Sequence, residues 1–380
     1  MIIKYLVKNR EFLPILTIPL IFSFLGLFFI FEASAVKSFN LFGNSFYYLK
    51  LQLLWLFLGI FVMCFLAFFD YHKFYYLAFF FMLITIFLLI LVLIPSFGYH
   101  AGGAQRWLNV GLFNLQPTEL AKFSLIIYLS SWFIYRERKQ FFSFLILIGF
   151  LTFLIILQPD MGTAIIIFFL SVSLYFLAGF NFFSLLVILP VAGLIFLILI
   201  KFSPYRMARL VTFLNPSIDP LGISYHINQI KTSLANGYLF GLGFGASRQK
   251  YLFLPEAHTD SIFAIIAEEL GFVGAGAIIL IFLFFSYKIF KIIEFAPDRF
   301  GKLLAAGIWS FFNWQFFINL GGVVNIIPLT GVPLPFFSYG GSNLIISFAL
   351  IGILLNIEKK IKKNESSYYR RTSNASFSFN

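Results

Sequence analysis

Long apolar runs separated by short polar connections set the pattern of this 380-residue chain. Most runs approach the roughly 20 residues that a helix needs to cross a hydrocarbon core about 30 Å thick. The pattern predicts an all-α, polytopic membrane protein with ten transmembrane helices, near 12–31, 47–69, 74–94, 118–135, 142–157, 161–179, 182–200, 260–287, 303–326 and 334–356. Two larger connections remain, about 95–117 between helices 3 and 4 and 201–259 between helices 7 and 8. An even count places both termini on one side.

Charge then gives that side a name. Lys4, Lys8, Arg10, Lys73, Arg136, Arg138, Lys139, Lys288, Lys291, Arg299, Lys302, Lys359, Lys360, Lys362 and Lys363 all fall on one face of this arrangement. Cationic short loops resist translocation, so both termini are expected in the cytoplasm and the long loop between helices 7 and 8 outside. The balance of 61% hydrophobic against 11% charged residues excludes a soluble protein. A net charge of +12 raises nucleic acid as a partner, but no basic, aromatic soluble module is present to read bases, so none is expected. Ala33-Ser-Ala35 imitates a signal-peptidase site after an apolar run too long for an ordinary signal, and the first helix is expected to be retained as an anchor. The single cysteine, Cys64, allows no internal disulfide. The domain reading is one membrane unit over 1–364, followed by a Ser-, Asn- and Tyr-rich tail over 365–380 expected to be disordered.

Candidate chemistry gathers in the polar interruptions, because an ionisable group near membrane depth is costly without a role. Leu254 to Gly271 holds four of the fifteen acidic residues, Glu256, Asp260, Glu268 and Glu269, together with His258. Asp260 either caps helix 8 or, partly desolvated near cations, acts as a base toward an attacking hydroxyl. His258 has no second His or Cys at ligand spacing and is read as an orienting residue, so no metal site is assigned. Glu119 and Lys122, one turn apart, form either a self-neutralising buried pair or, with Arg106 and Trp107 nearby, part of a seat for a diphosphate and an attached sugar. Asp160 in Gln158-Pro-Asp-Met-Gly-Thr163 either caps helix 6 or serves as a polar partner or metal ligand in the same cavity. Gly241-Leu-Gly-Phe-Gly245 lacks the preceding strand of a nucleotide loop. It reads as a structural loop or as a flexible collar presenting Arg248 and Lys250 to an anion. Glu268 or Glu269 is expected to face the bundle interior, with Lys122 as one available partner. The prolines and glycines of 321–343 forbid a regular helix there, so that stretch is expected to be buried in protein or to line a cavity.

The motifs GAQRWL, QPTELAK, QPDMGT, SRQKYLFLPEAHTDSIFAIIAEELG and PLTGVPLPFFSYGGSN, in that order, resemble the SEDS family of shape, elongation, division and sporulation proteins. The resemblance implies a ten-helix glycosyltransferase of the bacterial cytoplasmic (inner) membrane, with its active site on the extracytoplasmic side. Such an enzyme polymerises lipid II onto a nascent glycan strand by inversion and releases undecaprenyl diphosphate. Its implied partners are a class B penicillin-binding transpeptidase and the membrane proteins of the divisome or elongasome. By the same resemblance Asp260 is the essential acid, Trp107 the family's tryptophan, and Arg106, Glu119, Lys122 and Asp160 the polar residues of the central cavity. Arg248, or a divalent cation such as Mg or Mn held by acids, is a further source of positive charge for the leaving group. FGNSFYYLKLQLLW at 42–55 and the SRQK motif resemble the FtsW-like division subgroup, whereas GVPLP and the short chain resemble the RodA-like rod-shape subgroup; the division subgroup is the expectation. The rival classes are a lipid II flippase and a scaffold that recruits the transpeptidase. One departure is Ser261, where many relatives carry Phe.

Overall fold

The computed structural model describes residues 13–101, 104–109, 111, 114–135, 140–180 and 183–377. Each apolar segment is occupied by a helix: α1 (Leu13–Phe42), α2 (Tyr47–Phe68), α3 (Lys73–Leu91), α4 (Pro117–Trp132), α5 (Gln140–Leu157), α6 (Met161–Leu177), α7 (Phe183–Lys201), α10 (Ile262–Phe295), α11 (Arg299–Val323) and α12 (Gly341–Phe377). Among the described residues, five of these are long and apolar enough to cross a membrane by themselves: α1, α2, α3, α10 and α11. A sixth span arises if α7 and the following α8 (Pro204–Leu214), bent by 103°, count as one. The remaining segments are shorter or more polar, as in α4, where Glu119 and Lys122 sit among apolar residues. Of the basic residues used for orientation, Lys4, Lys8, Arg10, Arg136, Arg138 and Lys139 lie outside the described residues.

Three differences from the sequence reading have physical causes. Helix α1 runs past residue 31 to Phe42, because Glu32 and Lys37 find partners in the distant loop: Glu32 pairs with Lys250, and Lys37 with Glu256 at 3.4 Å. The 201–259 connection carries two amphipathic helices, α8 and α9 (Tyr225–Asn236). Helix α12 continues through Phe377, so residues 365–377, expected to be disordered, extend a helix already nucleated, a step that costs little per residue.

The core lies where α12 packs along α2, α3 along α4, and α11 against α6 and α10. Small residues permit the close approach: a Cβ on Gly352 would stand 2.6 Å from the Met63 carbonyl. Thr85 to Ser124 at 2.7 Å and Ser286 to Asn313 at 2.9 Å add interhelical hydrogen bonds within the apolar interior. At the end of α10 remote from residue 260, Asp298 caps α11, accepts from Tyr71 and faces His72 at 3.2 Å, tying two loops together. Three short strands, β1 (Gly98–Ala101), β2 (Ala104–Asn109) and β3 (Asn114–Leu115), form an antiparallel sheet over the other end, just ahead of α4.

Candidate active site

Asp260 precedes the first turn of α10, half-buried, where four separate elements converge. Its carbonyl accepts from Asn319 Nδ2 of α11 at 2.8 Å, and the same amide group donates to the Val332 carbonyl at 2.8 Å. Gly331 borders the carboxylate: a Cβ there would lie 3.7 Å from Asp260 Oδ2, and its φ of +74° places it in the region that favours glycine. Arg209 of α8 is pinned to this loop through the Leu329 carbonyl at 2.6 Å, and His226 of α9 bonds Ser261 Oγ at 2.8 Å. Burial pushes the Asp260 carboxyl above the ordinary range and the Glu256 charge adds to the rise, while His226 and Arg209 oppose it. Burial holds His226 below its ordinary value, with Arg209 acting in the same direction and Asp260 against it. The cation flanking Asp260 is thus Arg209, with the His226 ring beside it; the sequence reading selected neither. Ser261, noted only as a departure, holds the His226 ring.

The residues expected to supply that flank are engaged elsewhere. Arg106 shares a face of β2 with buried Leu108, and its guanidinium donates to the carbonyls of Gln158, at 3.1 Å, and Pro159. Trp107 faces the other way, half-buried, across from Tyr99. Asp160 caps α6, accepting from Thr163 N at 3.2 Å and Thr163 Oγ1 at 2.8 Å, with Gln116 Nε2 at 3.5 Å. The two regions touch through one loop, because the site of a Cβ on Gly162 lies 2.6 Å from the Thr330 carbonyl, next to Gly331.

Glu119 and Lys122 are paired at 2.7 Å and nearly sealed from solvent. Asn343 Nδ2 donates to Glu119 Oε2 at 3.1 Å, and Lys122 Nζ also reaches Gln315 Oε1 at 3.4 Å and the Phe311 ring at 5.3 Å. The pair therefore sits in a network joining α4, α11 and α12. Glu119, with Gln116, Trp55 and Ser342, also lines a small cavity of about 70 Å³.

Glu268 and Glu269 have other partners than Lys122. Glu268 accepts from Asn236 Nδ2 at 3.2 Å and Ser247 Oγ at 2.5 Å; Glu269 accepts from the amides of Gly245 and Ser247 and faces Lys250 Nζ at 3.5 Å. Lys250 is also bound to Glu32 and the Gly245 carbonyl, so it cross-links the loop instead of facing an anion. Arg248 is exposed on that loop. His258 is buried between the rings of Tyr48, at 4.8 Å, and Tyr339, at 5.7 Å; burial and the Lys37 charge bring it down to about 4, so it is neutral at neutral pH. Among the described residues, no three of His, Cys, Asp and Glu come together in a way that could hold a metal. The Arg209 charge acting on Asp260 disfavours a resident divalent ion there.

Residues 12–363 match the family model described as cell cycle protein, which takes in FtsW, RodA and SpoVE. The chain belongs to the SEDS family. Stage V sporulation protein E of Bacillus subtilis (strain 168) is 39% identical over 93% of this chain and 98% of its own length. The probable peptidoglycan glycosyltransferase FtsW of Geobacter sp. (strain M18) is 36% identical over 92% and 96%. A chain from a solved peptidoglycan synthase complex, in which polymerization and crosslinking are coordinated, superposes with a TM-score of 0.75 at 27% identity, over 91% of this chain and 97% of that one. The rod shape determining protein RodA of Thermus thermophilus follows at 0.68 and 25%, over 91% and 95%. This SEDS protein is thus FtsW-like, a multi-pass membrane protein of a family of peptidoglycan glycosyltransferases.

Proposed function

We propose that this SEDS protein polymerises lipid II into glycan strands at the division septum, with Asp260 as general base. Ten spans, cytoplasmic termini and an extracytoplasmic site are part of the same reading. The observation that carries it is the setting of Asp260, a carboxylate made more basic by burial, held at a helix mouth by Asn319 and flanked by Arg209. A 4-hydroxyl of one lipid-linked disaccharide gives its proton to Asp260 as its oxygen attacks the anomeric carbon of the strand. The bond to the diphosphate breaks, and undecaprenyl diphosphate leaves with the electron pair. One base and one developing anion are all that an inverting displacement requires, without a covalent enzyme intermediate.

Arg209 offers positive charge beside the base for the departing diphosphate, and His226 orients the first turn of α10 through Ser261. Glu119, Lys122, Asp160 and Arg106 take supporting roles: Lys122, paired with Glu119, reaches the 329–333 loop through Gln315, which donates to the Pro333 carbonyl at 3.1 Å, while Arg106 and Asp160 hold the 158–163 link. Trp107, Arg248 and His258 remain candidates for sugar or diphosphate contact. A class B penicillin-binding transpeptidase is the proposed partner, in keeping with the synthase complex that this chain resembles.

Purified protein supplied with lipid II in detergent tests the reaction. Polymer on a gel, lost in Asp260→Asn, supports it; transport of lipid II in vesicles without polymer would support a flippase. Depletion producing filaments supports the septal role, and round cells would assign the protein to elongation.

A further inference from the structure

The stretch from Gly237 to Ala246 folds back over a break in α10. Gly271, at φ +67°, interrupts the helix and frees backbone groups on both sides of it. The Glu268 and Glu269 carbonyls then accept from Leu242 N and Gly243 N at 3.0 Å, while Phe272 N and Val273 N donate to the Tyr238 and Leu239 carbonyls at 2.9 and 3.0 Å. Glycine is required at the contact, since a Cβ on Gly241 would lie 2.1 Å from the Glu269 carbonyl. Four backbone groups of the stretch are thus paired with a membrane helix, which lowers the cost of holding irregular chain at a membrane face.

Its side chains point outward. Tyr238 is 81% exposed, Phe240 80% and Phe244 67%, beside Phe272 of α10 at 73%. The Phe244 ring meets Phe28 of α1 edge-on at 5.8 Å, so the patch is continuous with the outer surface of a membrane-spanning helix. Depth agrees with this. The part of α10 beyond the break is about 36 Å long at 1.5 Å per residue, against a hydrocarbon core of about 30 Å. The break therefore falls at a membrane face, the level at which aromatic side chains anchor. A contiguous aromatic patch in water would be a liability.

We propose that residues 237–246 form a membrane-seated arm whose Tyr238, Phe240 and Phe244 side chains insert among lipid acyl chains, in the leaflet on the Asp260 side. Through Ser247 and Lys250, both bound to the buried glutamates, the arm fixes the height of Asp260 above the bilayer.

Spin labels at Phe240→Cys and Phe244→Cys, in a Cys64→Ala chain reconstituted into phosphatidylglycerol and phosphatidylethanolamine vesicles, test the arm without reference to activity. Relaxation by oxygen should exceed relaxation by a water-soluble nickel chelate at both positions, with the opposite order at Ser217→Cys in the same connection. Nickel access at residues 240 and 244 equal to that at 217 would overturn the proposal. So would protection that appears only when a transpeptidase is added, which would assign the patch to a protein partner. If the cysteine variants fail to fold, Phe240→Trp decides between lipid and water instead: emission added over the parent chain with its five tryptophans that is quenched by brominated acyl chains supports the arm, and added emission that is not quenched overturns it.

Discussion

Asn319 holds Asp260 and Val332 by one amide group, donating at 2.8 Å to each carbonyl from a buried position on α11. A single side chain thus sets the spacing between the start of α10 and the loop containing Gly331. Removing it leaves two carbonyls without their donor, at about 1–3 kcal/mol for an unsatisfied buried group. Asn319→Ala should therefore lower the unfolding temperature in detergent and slow polymerisation. Unchanged stability would mean that the loop is held by other contacts.

Asp260→Asn should move stability and activity in opposite directions. The folded-state value of this carboxyl is raised, so its contribution is most favourable when protonated, below the unfolded value, and is lost as pH rises through the folded one. At neutral pH the charge is a burden on the fold, and Asn relieves it. Polymerisation should fall by about 10² to 10⁴, the usual worth of acid–base assistance. Thermal unfolding of the two proteins at neutral pH, beside polymer yield, checks both halves.

The acid limb of the rate profile should lie above the ordinary carboxylate range near about 4, because the base must be ionised and its value is raised. Glu256 contributes to that rise, and Lys37 remains nearby when Glu256 is neutralised. Glu256→Gln should accordingly shift the limb to lower pH. A shift to higher pH, or none, would remove Glu256 from the electrostatics of the site.

Gly241 and Gly243 both have positive φ, at +79° and +97°, but only Gly241 is crowded, against the Glu269 carbonyl; a Cβ on Gly243 meets nothing. Gly243→Ala should cost about 1–2 kcal/mol, the strain of a left-handed residue alone. Gly241→Ala should exceed it clearly, since backbone must move. Comparable unfolding temperatures for the two variants would contradict the close packing at the break.

The helices were legible because apolar length is a local property: α2, α3, α5 and α6 begin and end within about three residues of the apolar segments read from the sequence. The non-helical chain between Val323 and Gly341 followed from the prolines of the 321–343 stretch. Other features depended on residues far apart. Arg209 and His226 are separated from Asp260 by 51 and 34 positions, with nothing in the chain between to announce their meeting. The Ser203-Pro204 start of α8, with Arg206 and Arg209 one turn apart, was the available signal for a cationic helix in the loop. Lys250 read as an anion contact because Glu32, one of its two glutamates, lies 218 positions away in the sequence. Asp160 and the Glu119–Lys122 pair each had two open readings, and in the structure the cap and the self-neutralising pair are the contacts made.

The Glu119–Lys122 pair gives the sharpest separation of structure from catalysis. Both charges are buried and each has a polar neighbour besides its partner, Asn343 for the acid and Gln315 for the base. Breaking such a pair by removing one member leaves an uncompensated charge, typically a loss of about 3–5 kcal/mol, whereas replacing both by neutral groups of similar size is often close to neutral. Glu119→Gln and Lys122→Met should each destabilise strongly, and the double variant should recover most of the loss. If the recovered double variant also polymerises lipid II, the pair is scaffolding for the 329–333 loop. If it folds but makes no polymer, one of the two charges meets substrate, and the cavity of about 70 Å³ beside Glu119 is the place where it does so.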